Sequence, residues 1–229
     1  MKAKMRAAAG TARDRAGWAM ACAALLAFGS PDTARAQRDD ATASYERASL
    51  SRAKGTDAAP LFVYEFADFE CPHCARFALE VFPRIDSAYV RTGKVHWVFV
   101  SLPLPTHRNA WVAHEAAVCA GAVADRFWPM HDRIFATQKD WVGIDDPAPV
   151  FTRLGREAGV PVPALTACMA GDRVSQLLLQ DVIFAASARV NGTPAFIVNN
   201  EQSVMGLKTF EEWQDLLDKM LKAKSGKDR

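Results

Sequence analysis

The sequence predicts an α/β fold in which two strand-containing halves share one sheet and are separated by a helical insertion. The first half, from residue 61, contains a strand, a helix and a second strand within about forty residues. The second half, from residue 195, contains two short strands and a helix. Roughly 75 residues between them carry helical periodicity. We therefore expect one ordered domain over 60–222, with a helical insertion at about 107–185.

The first half is expected to lie in the protein interior. Residues 61–67 read L-F-V-Y-E-F-A, an almost continuous apolar run that is typical of a strand covered on both faces. Residues 75–90 have apolar side chains at helical spacing, and Pro83 should kink that helix. Residues 95–102 form the second predicted strand. This order of elements is a βαβ unit.

Turn and capping residues delimit the remaining elements. A capping box, Thr209 with Glu212 three residues later, begins the last helix. Asn199 and Asn200 are expected to form the turn between the strands at 195–199 and 203–206. In the insertion, the predicted helices cover 109–123, 127–135, 150–158, 163–170 and 173–190.

The first 36 residues have the features of a secretion signal. A basic leader precedes eleven residues at 18–28 that are mostly apolar, and Ala34-Arg35-Ala36 offers a cleavage site before Gln37. Eleven residues are too few to span a bilayer, which needs about 20. A mitochondrial presequence and a lipoprotein signal ending at Cys22 fit the pattern less well. We expect a periplasmic or otherwise extracytoplasmic protein with a flexible polar leader at 37–59 and a basic tail at 223–229.

The charge balance gives no support for a nucleic-acid partner. The chain has 28 basic and 26 acidic residues, but the predicted signal contains six of the former and two of the latter. The remaining 22 and 24 leave a nearly neutral body. Such a body offers no basic surface for a polyanion or an anionic membrane.

The segment Cys71-Pro72-His73-Cys74 directly follows a buried strand and begins a helix. Unpaired N–H groups and the helix dipole at that position favour a thiolate, with pKa values of roughly 3.5–7.5 against about 8.5 for a free cysteine. His73 can add a donor or a positive charge. We expect Cys71 to be the exposed attacking sulfur and Cys74 the buried resolving sulfur.

A structural zinc pair or a static disulfide is the alternative for these cysteines. Zinc needs a second pair of ligands, and we expect no metal site because neither His107 with His114 nor Cys119 with Cys168 has suitable spacing. Cys119 and Cys168 lie on separate predicted helices. They are expected to form a second, structural disulfide, with buried free thiols as the alternative.

Two segments together resemble the DsbA family of thiol–disulfide oxidoreductases, including its BdbD-type branch. They are V-Y-E-F-A-D-F-E-C-P-H-C, ending at Cys74, and V-N-G-T-P-A-F-I-V-N at 190–199. The resemblance implies a thioredoxin fold with an inserted helical subdomain. It also implies that Thr193-Pro194 is a cis-proline loop that faces the cysteines and binds substrate backbone. Glu65 matches the family's buried acid, which would relay protons for Cys74; a purely structural carboxylate is the alternative.

The resemblance implies a disulfide oxidase that introduces disulfides into exported proteins through the Cys71–Cys74 pair, without another cofactor. Its partners would be reduced or unfolded exported proteins and a membrane DsbB-type reoxidant linked to quinone, and we expect a monomer. A disulfide isomerase or reductase is the alternative enzyme. A copper carrier or a polypeptide-binding module is the alternative from another class.

Overall fold

A computed structural model describes residues 31–171 and 174–227 and contains one five-stranded sheet. The strand order is β1-β3-β2-β4-β5. β2 and β3 are parallel, and every other neighbouring pair is antiparallel. The strands are β1 (Ala53–Lys54), β2 (Leu61–Ala67), β3 (Val95–Ser101), β4 (Ala195–Val198) and β5 (Gln202–Met205). The two predicted halves therefore meet at the pairing of β2 with β4.

β2 is the central strand, and both of its faces are covered. Leu61 and Val63 point into the larger core, whereas Phe66 points into a smaller core on the other face. All three side chains are completely buried. This two-sided burial explains why the strand has an apolar run instead of alternation.

The helix after β2 is a continuous helical stretch with two widened turns. It contains α2 (Pro72–Arg76), a π turn (Phe77–Val81), α3 (Phe82–Ile85) and a second π turn (Asp86–Val90). Pro83 has no N–H, and its ring crowds the carbonyl four residues earlier. The backbone N–H of Phe82 reaches back to the carbonyl of Phe77. The helix thus accommodates the proline by widening and does not end there.

The described part of the insertion is mainly helical, as the sequence predicted. Its helices are α4 (Ala110–Ala124), α5 (Phe127–Ala136), α6 (Gln138–Trp141), α7 (Ala148–Glu157), α8 (Val162–Met169) and α9 (Ser175–Ser187). The short helix α6 was not predicted. A disulfide between Cys119 and Cys168 joins α4 to α8, with 5.8 Å between the two Cα atoms.

Helices close both faces of the sheet. α9 covers the smaller core, where Phe184 and Ala185 meet Phe66. α10 (Phe210–Lys227) packs in the larger core. Its capping box forms as predicted: Glu212 accepts the N–H of Thr209 at 2.8 Å, and the N–H of Glu212 donates to the Thr209 hydroxyl at 3.2 Å.

The segment at 37–59 differs from the flexible leader that its polarity predicted. Helix α1 (Pro31–Ser51) packs on α4, and β1 pairs with β3. Among the side chains of α1 that the structure describes, the buried ones are Ser44, Ala48 and Ser51, at helical spacing. Gly121 allows the close approach, since a Cβ there would lie 2.1 Å from the Ser51 hydroxyl. Small residues pack helices closely without raising hydropathy, so the apolar pattern did not predict this contact.

The predictions for the two ends of the chain concern residues that the structure describes only in part. Of the predicted signal peptide at 1–36, residues 1–30 lie outside the described residues. The predicted basic tail begins within α10, which is described up to residue 227. No helix in the described part of the chain is long and apolar enough to cross a membrane.

Candidate active site

Cys71 and Cys74 lie where the central strand leads into the first helix. After β2 ends, the chain makes a short turn at 68–71, the redox turn, in which the N–H of Cys71 donates to the Asp68 carbonyl at 3.1 Å. Cys71 is the N-cap residue of α2, and Pro72 occupies the first turn, where its missing N–H is not needed. Both cysteines are free thiols and both are buried: Cys71 is 5% exposed and Cys74 has no exposed surface. The prediction that Cys71 is exposed is therefore wrong, because the Thr193 carbonyl lies against its sulfur.

The surroundings of Cys71 favour its thiolate. A hydrogen bond from the Cys74 thiol is the largest cause, and it lowers the pKa of Cys71 to about 5. Partial burial opposes this change, while Thr193 and the N–H groups of Cys74 and His73 add to it. Burial, and then the neighbouring Cys71, raises the pKa of Cys74 well above its usual value. One proton is therefore retained on the inner sulfur while the outer sulfur is ionised.

Thr193 and Pro194, predicted from the second half of the chain, lie beside the cysteines. The Thr193–Pro194 peptide bond is cis. The Thr193 carbonyl oxygen lies 3.5 Å from Cys71 Sγ. The structure therefore places the 193–194 loop of the second half beside the start of α2 in the first half.

His73 is exposed on α2, one residue after Pro72. Its effect on the pKa of Cys71 comes from its backbone N–H, which is directed at the sulfur. The predicted contribution of the imidazole charge remains a prediction.

Glu65 lies in the middle of β2 and is 1% exposed. The Trp97 indole donates to Glu65 Oε2 at 2.8 Å, and Oε1 has no partner among the described residues. Burial raises the pKa of Glu65 to about 7, and the Trp97 bond partly offsets this rise. A carboxyl group with this pKa can exchange a proton near neutral pH. The proton relay from Glu65 to Cys74 remains a prediction. The observed hydrogen-bond partner of the carboxylate is the Trp97 indole.

Sequence reasoning missed the residues that hold the redox turn. Asp68 is fully buried, and its carboxylate accepts the N–H groups of Glu70 and Leu104, both at 2.7 Å. The His107 ring lies 2.8 Å from the same carboxylate. The backbone N–H of Asp68 also bonds the Cys74 sulfur and favours its thiolate. The available signal was an acid placed directly after a buried strand, in D-F-E-C.

Two further contacts connect the redox turn to the helical insertion. Glu70 accepts the backbone N–H of Asn109 at 2.7 Å. The Gln138 side-chain amide donates to the carbonyl oxygens of Phe69 and Cys71, at 2.8 and 3.1 Å. These pairs are 39, 69 and 67 residues apart in the chain. No local pattern could have revealed them.

Within residues 31–171 and 174–227, no group of three or more His, Cys, Asp or Glu side chains could hold a metal ion.

Comparison with known proteins identifies the family. A family model described as thioredoxin matches residues 48–219. The chain belongs to the thioredoxin family. Its fold is similar to α-DsbA1 of Wolbachia pipientis, with a TM-score of 0.70 and 20% identity over 78% of this chain and 94% of that one. It is also similar to oxidised BdbD from Bacillus subtilis, with a TM-score of 0.68 and 22% identity over 75% and 92%.

Curated relatives have similar names. Disulfide bond formation protein D of Bacillus subtilis is 24% identical over 74% of this chain and 77% of its own length. The predicted thioredoxin fold with a helical insertion is confirmed, as is the resemblance to the DsbA family of thiol–disulfide oxidoreductases.

Some relatives are considerably longer than the matching region. The chain covers 61% of a Rickettsia felis relative that is 27% identical. It covers 22% of the Na⁺/H⁺ antiporter NhaA 3 of Salinispora tropica, at 33% identity.

Proposed function

We propose that the chain is a thiol–disulfide oxidoreductase that acts as a disulfide oxidase on exported proteins. The supporting observation is the opposite perturbation of the two thiols: the pKa of Cys71 falls to about 5, while that of Cys74 rises. A stabilised thiolate favours the reduced form of the enzyme. The Cys71–Cys74 disulfide is then a strong oxidant.

The reaction transfers two electrons from substrate to enzyme; of the two protons lost by the substrate thiols, one ends on Cys74 and the other is released to solvent. A substrate thiolate attacks Sγ of Cys71 in the enzyme disulfide; the S–S bond breaks, and Cys74 takes up a proton. A second substrate thiolate attacks the substrate sulfur of this mixed disulfide and releases Cys71 as a thiolate. The substrate leaves with a disulfide, and the enzyme is left reduced, with Cys71 as a thiolate and Cys74 as a thiol.

Exposure supports the order of these steps. Cys71 is 5% exposed, whereas Cys74 has no exposed surface. Of the two residues, Cys71 is therefore the one with surface that a thiol on another protein can approach. Its low pKa also makes it the better leaving group in the second step.

Thr193 and Pro194 would bind the substrate backbone beside this sulfur. The Thr193 carbonyl oxygen already lies 3.5 Å from Cys71 Sγ. A substrate segment that follows the 193–194 loop would place its own cysteine next to Cys71. No cofactor other than the cysteine pair enters this scheme.

The redox potential of the pair tests the direction of the reaction. A potential of about −120 mV supports an oxidase, and one of about −270 mV supports a reductase. The assay is equilibration with glutathione buffers, followed by quantification of free thiols. Cys71→Ser is the control that cannot form the pair. A reductase potential combined with rapid insulin reduction would overturn the proposal, and so would stoichiometric copper in the purified protein.

The proposed setting is outside the cytoplasm, with a quinone-linked membrane protein of DsbB type as reoxidant and the chain acting as a monomer. The supports are the predicted signal peptide and the resemblance to proteins of the DsbA family. Expression in a Gram-negative host should yield a periplasmic protein whose mass corresponds to cleavage before Gln37. Retention of the full-length protein in the cytoplasm would refute this setting. Light scattering would test the monomer, and reoxidation by quinone-containing membranes would test the partner.

A further inference from the structure

We propose that Gln138 is a positioning residue: it holds the carbonyl groups of Phe69 and Cys71 and thereby fixes Cys71 at the start of α2. This inference rests on the proposed thiol–disulfide exchange. It assigns a role in that chemistry to the helical insertion.

The geometry satisfies both donor hydrogens of one amide group. Gln138 Nε2 lies 2.8 Å from the Phe69 carbonyl oxygen and 3.1 Å from that of Cys71. The side-chain amide has two N–H groups, so each carbonyl receives one. Because these carbonyls lie on either side of Glu70, the amide bridges the redox turn.

The helix that carries Gln138, α6, is held in place by buried neighbours. Trp141, one helical turn later, is fully buried, and its indole donates to the Ile134 carbonyl at 3.0 Å. The Asn109 side chain donates to the Trp141 carbonyl at 2.9 Å. α6 has only four residues, so these contacts fix the position from which Gln138 reaches the turn.

The Cys71 carbonyl is the first acceptor of α2, because it receives the N–H of Ala75 at 3.1 Å. The second bond, from Gln138, fixes the orientation of the peptide unit between Cys71 and Pro72. The following N–H groups of His73 and Cys74 stabilise the thiolate, and they lie in the same first turn. Loss of the amide would loosen this turn and misalign the donors that ionise Cys71.

The Phe69 carbonyl group also depends on the Gln138 amide for a hydrogen-bond donor. Phe69 is fully buried, and its ring packs on Phe135, with 4.7 Å between the ring centroids. A carbonyl at such a residue cannot turn to bulk water, so loss of its donor is costly. The turn would have to shift to satisfy it, and Cys71 would shift with it.

The test is the pH dependence of Cys71 alkylation in the reduced full chain. Gln138→Met keeps the length of the side chain but removes both donors, and Gln138→Glu keeps the shape but directs acceptors at the two carbonyls. Gln180→Met is the matched control, since Gln180 accepts the Tyr45 hydroxyl away from the redox turn. At about pH 5, where half of Cys71 is ionised, the Met variant should be alkylated about three- to tenfold more slowly, as expected for the loss of one or two neutral hydrogen bonds.

Gln138→Glu should slow alkylation at least as much, while Gln180→Met should match the wild type. A purely space-filling Gln138 predicts instead that all three variants keep the wild-type profile, which overturns the proposal. Failure of both Gln138 variants to fold also overturns it, because the role assigned is local. If the wild type itself exchanges no disulfide with a reduced substrate, the proposed function fails, whatever the alkylation results show.

Discussion

The low pKa of Cys71 implies that the stability of the reduced protein depends on pH. In the folded chain this pKa is about 5, whereas an unfolded cysteine has a pKa of about 8.5. Because the folded-state pKa is depressed, the unfolded chain binds one more proton between these values. Stability therefore increases as pH rises, by up to about 1.36 kcal/mol per pH unit, and is lost as pH falls through 5.

Glu65 has the opposite effect on the pH dependence of the free energy of unfolding. Its folded-state pKa of about 7 lies above the value of about 4.3 in the unfolded chain, so its contribution to stability is lost as pH rises through 7. Between pH 6 and 8, Cys71 should add about 2.5 kcal/mol and Glu65 should remove about 1.4 kcal/mol. Buried His114 and His131, whose pKa values are lowered, add stability over the same range in both proteins. The reduced wild type should therefore gain about 2.5 kcal/mol more than reduced Cys71→Ser.

Urea unfolding of both proteins under strong reductant, at half-unit steps from pH 6 to 8, measures these free energies. The informative quantity is the difference between the two curves, since Glu65 cancels in it. Parallel curves would show that the fold does not hold Cys71 as a thiolate, and would refute the argument for an oxidising pair.

Three further predictions concern groups away from the cysteine pair. In the oxidised protein, Glu65→Gln should change in stability between pH 6 and 8 by about 1.4 kcal/mol more favourably than the wild type, because the raised pKa of Glu65 costs stability in that range; equal slopes in urea unfolding would contradict the raised pKa. Replacing Cys119 and Cys168 together by Ala should cost about 4 kcal/mol for a loop of 49 residues, measured by urea unfolding with the redox potential unchanged; an unaffected midpoint would show that the bond is absent in solution. Gly121→Ala should cost about 1–3 kcal/mol because its methyl meets the Ser51 hydroxyl, and a Ser51→Gly background should recover part of it; equal losses in both backgrounds would contradict the close approach.

The sequence predicted elements whose signal is local. β2 has its predicted bounds because an almost continuous apolar run ends at Asp68. The N-terminus of α10 follows from the capping box of Thr209 and Glu212. The cysteine pair at the N-terminus of α2 follows from its position directly after β2.

Apart from the disulfide between Cys119 and Cys168, features that depend on tertiary structure were not predicted from the residues alone. The contacts of Gln138 and Glu70 with distant parts of the chain have no local signature. α1 was missed because Ser44, Ala48 and Ser51 pack by being small, which hydropathy does not register. The juxtaposition of Thr193 with Cys71 came from family resemblance, because spacing alone does not fix how the two halves meet.

The docking of α1 has a practical consequence for anyone who shortens this protein. A chain that begins at Pro60, where the sequence first appears ordered, would lack Arg47, whose guanidinium donates to the Ala122 carbonyl at 2.6 Å. It would also lack Arg52, which forms a buried ion pair with Asp181 of α9. That aspartate would be left without its counter-ion, and the alanine-rich side of α4 would be bare and prone to self-association. Expression trials should therefore start upstream of Ser44.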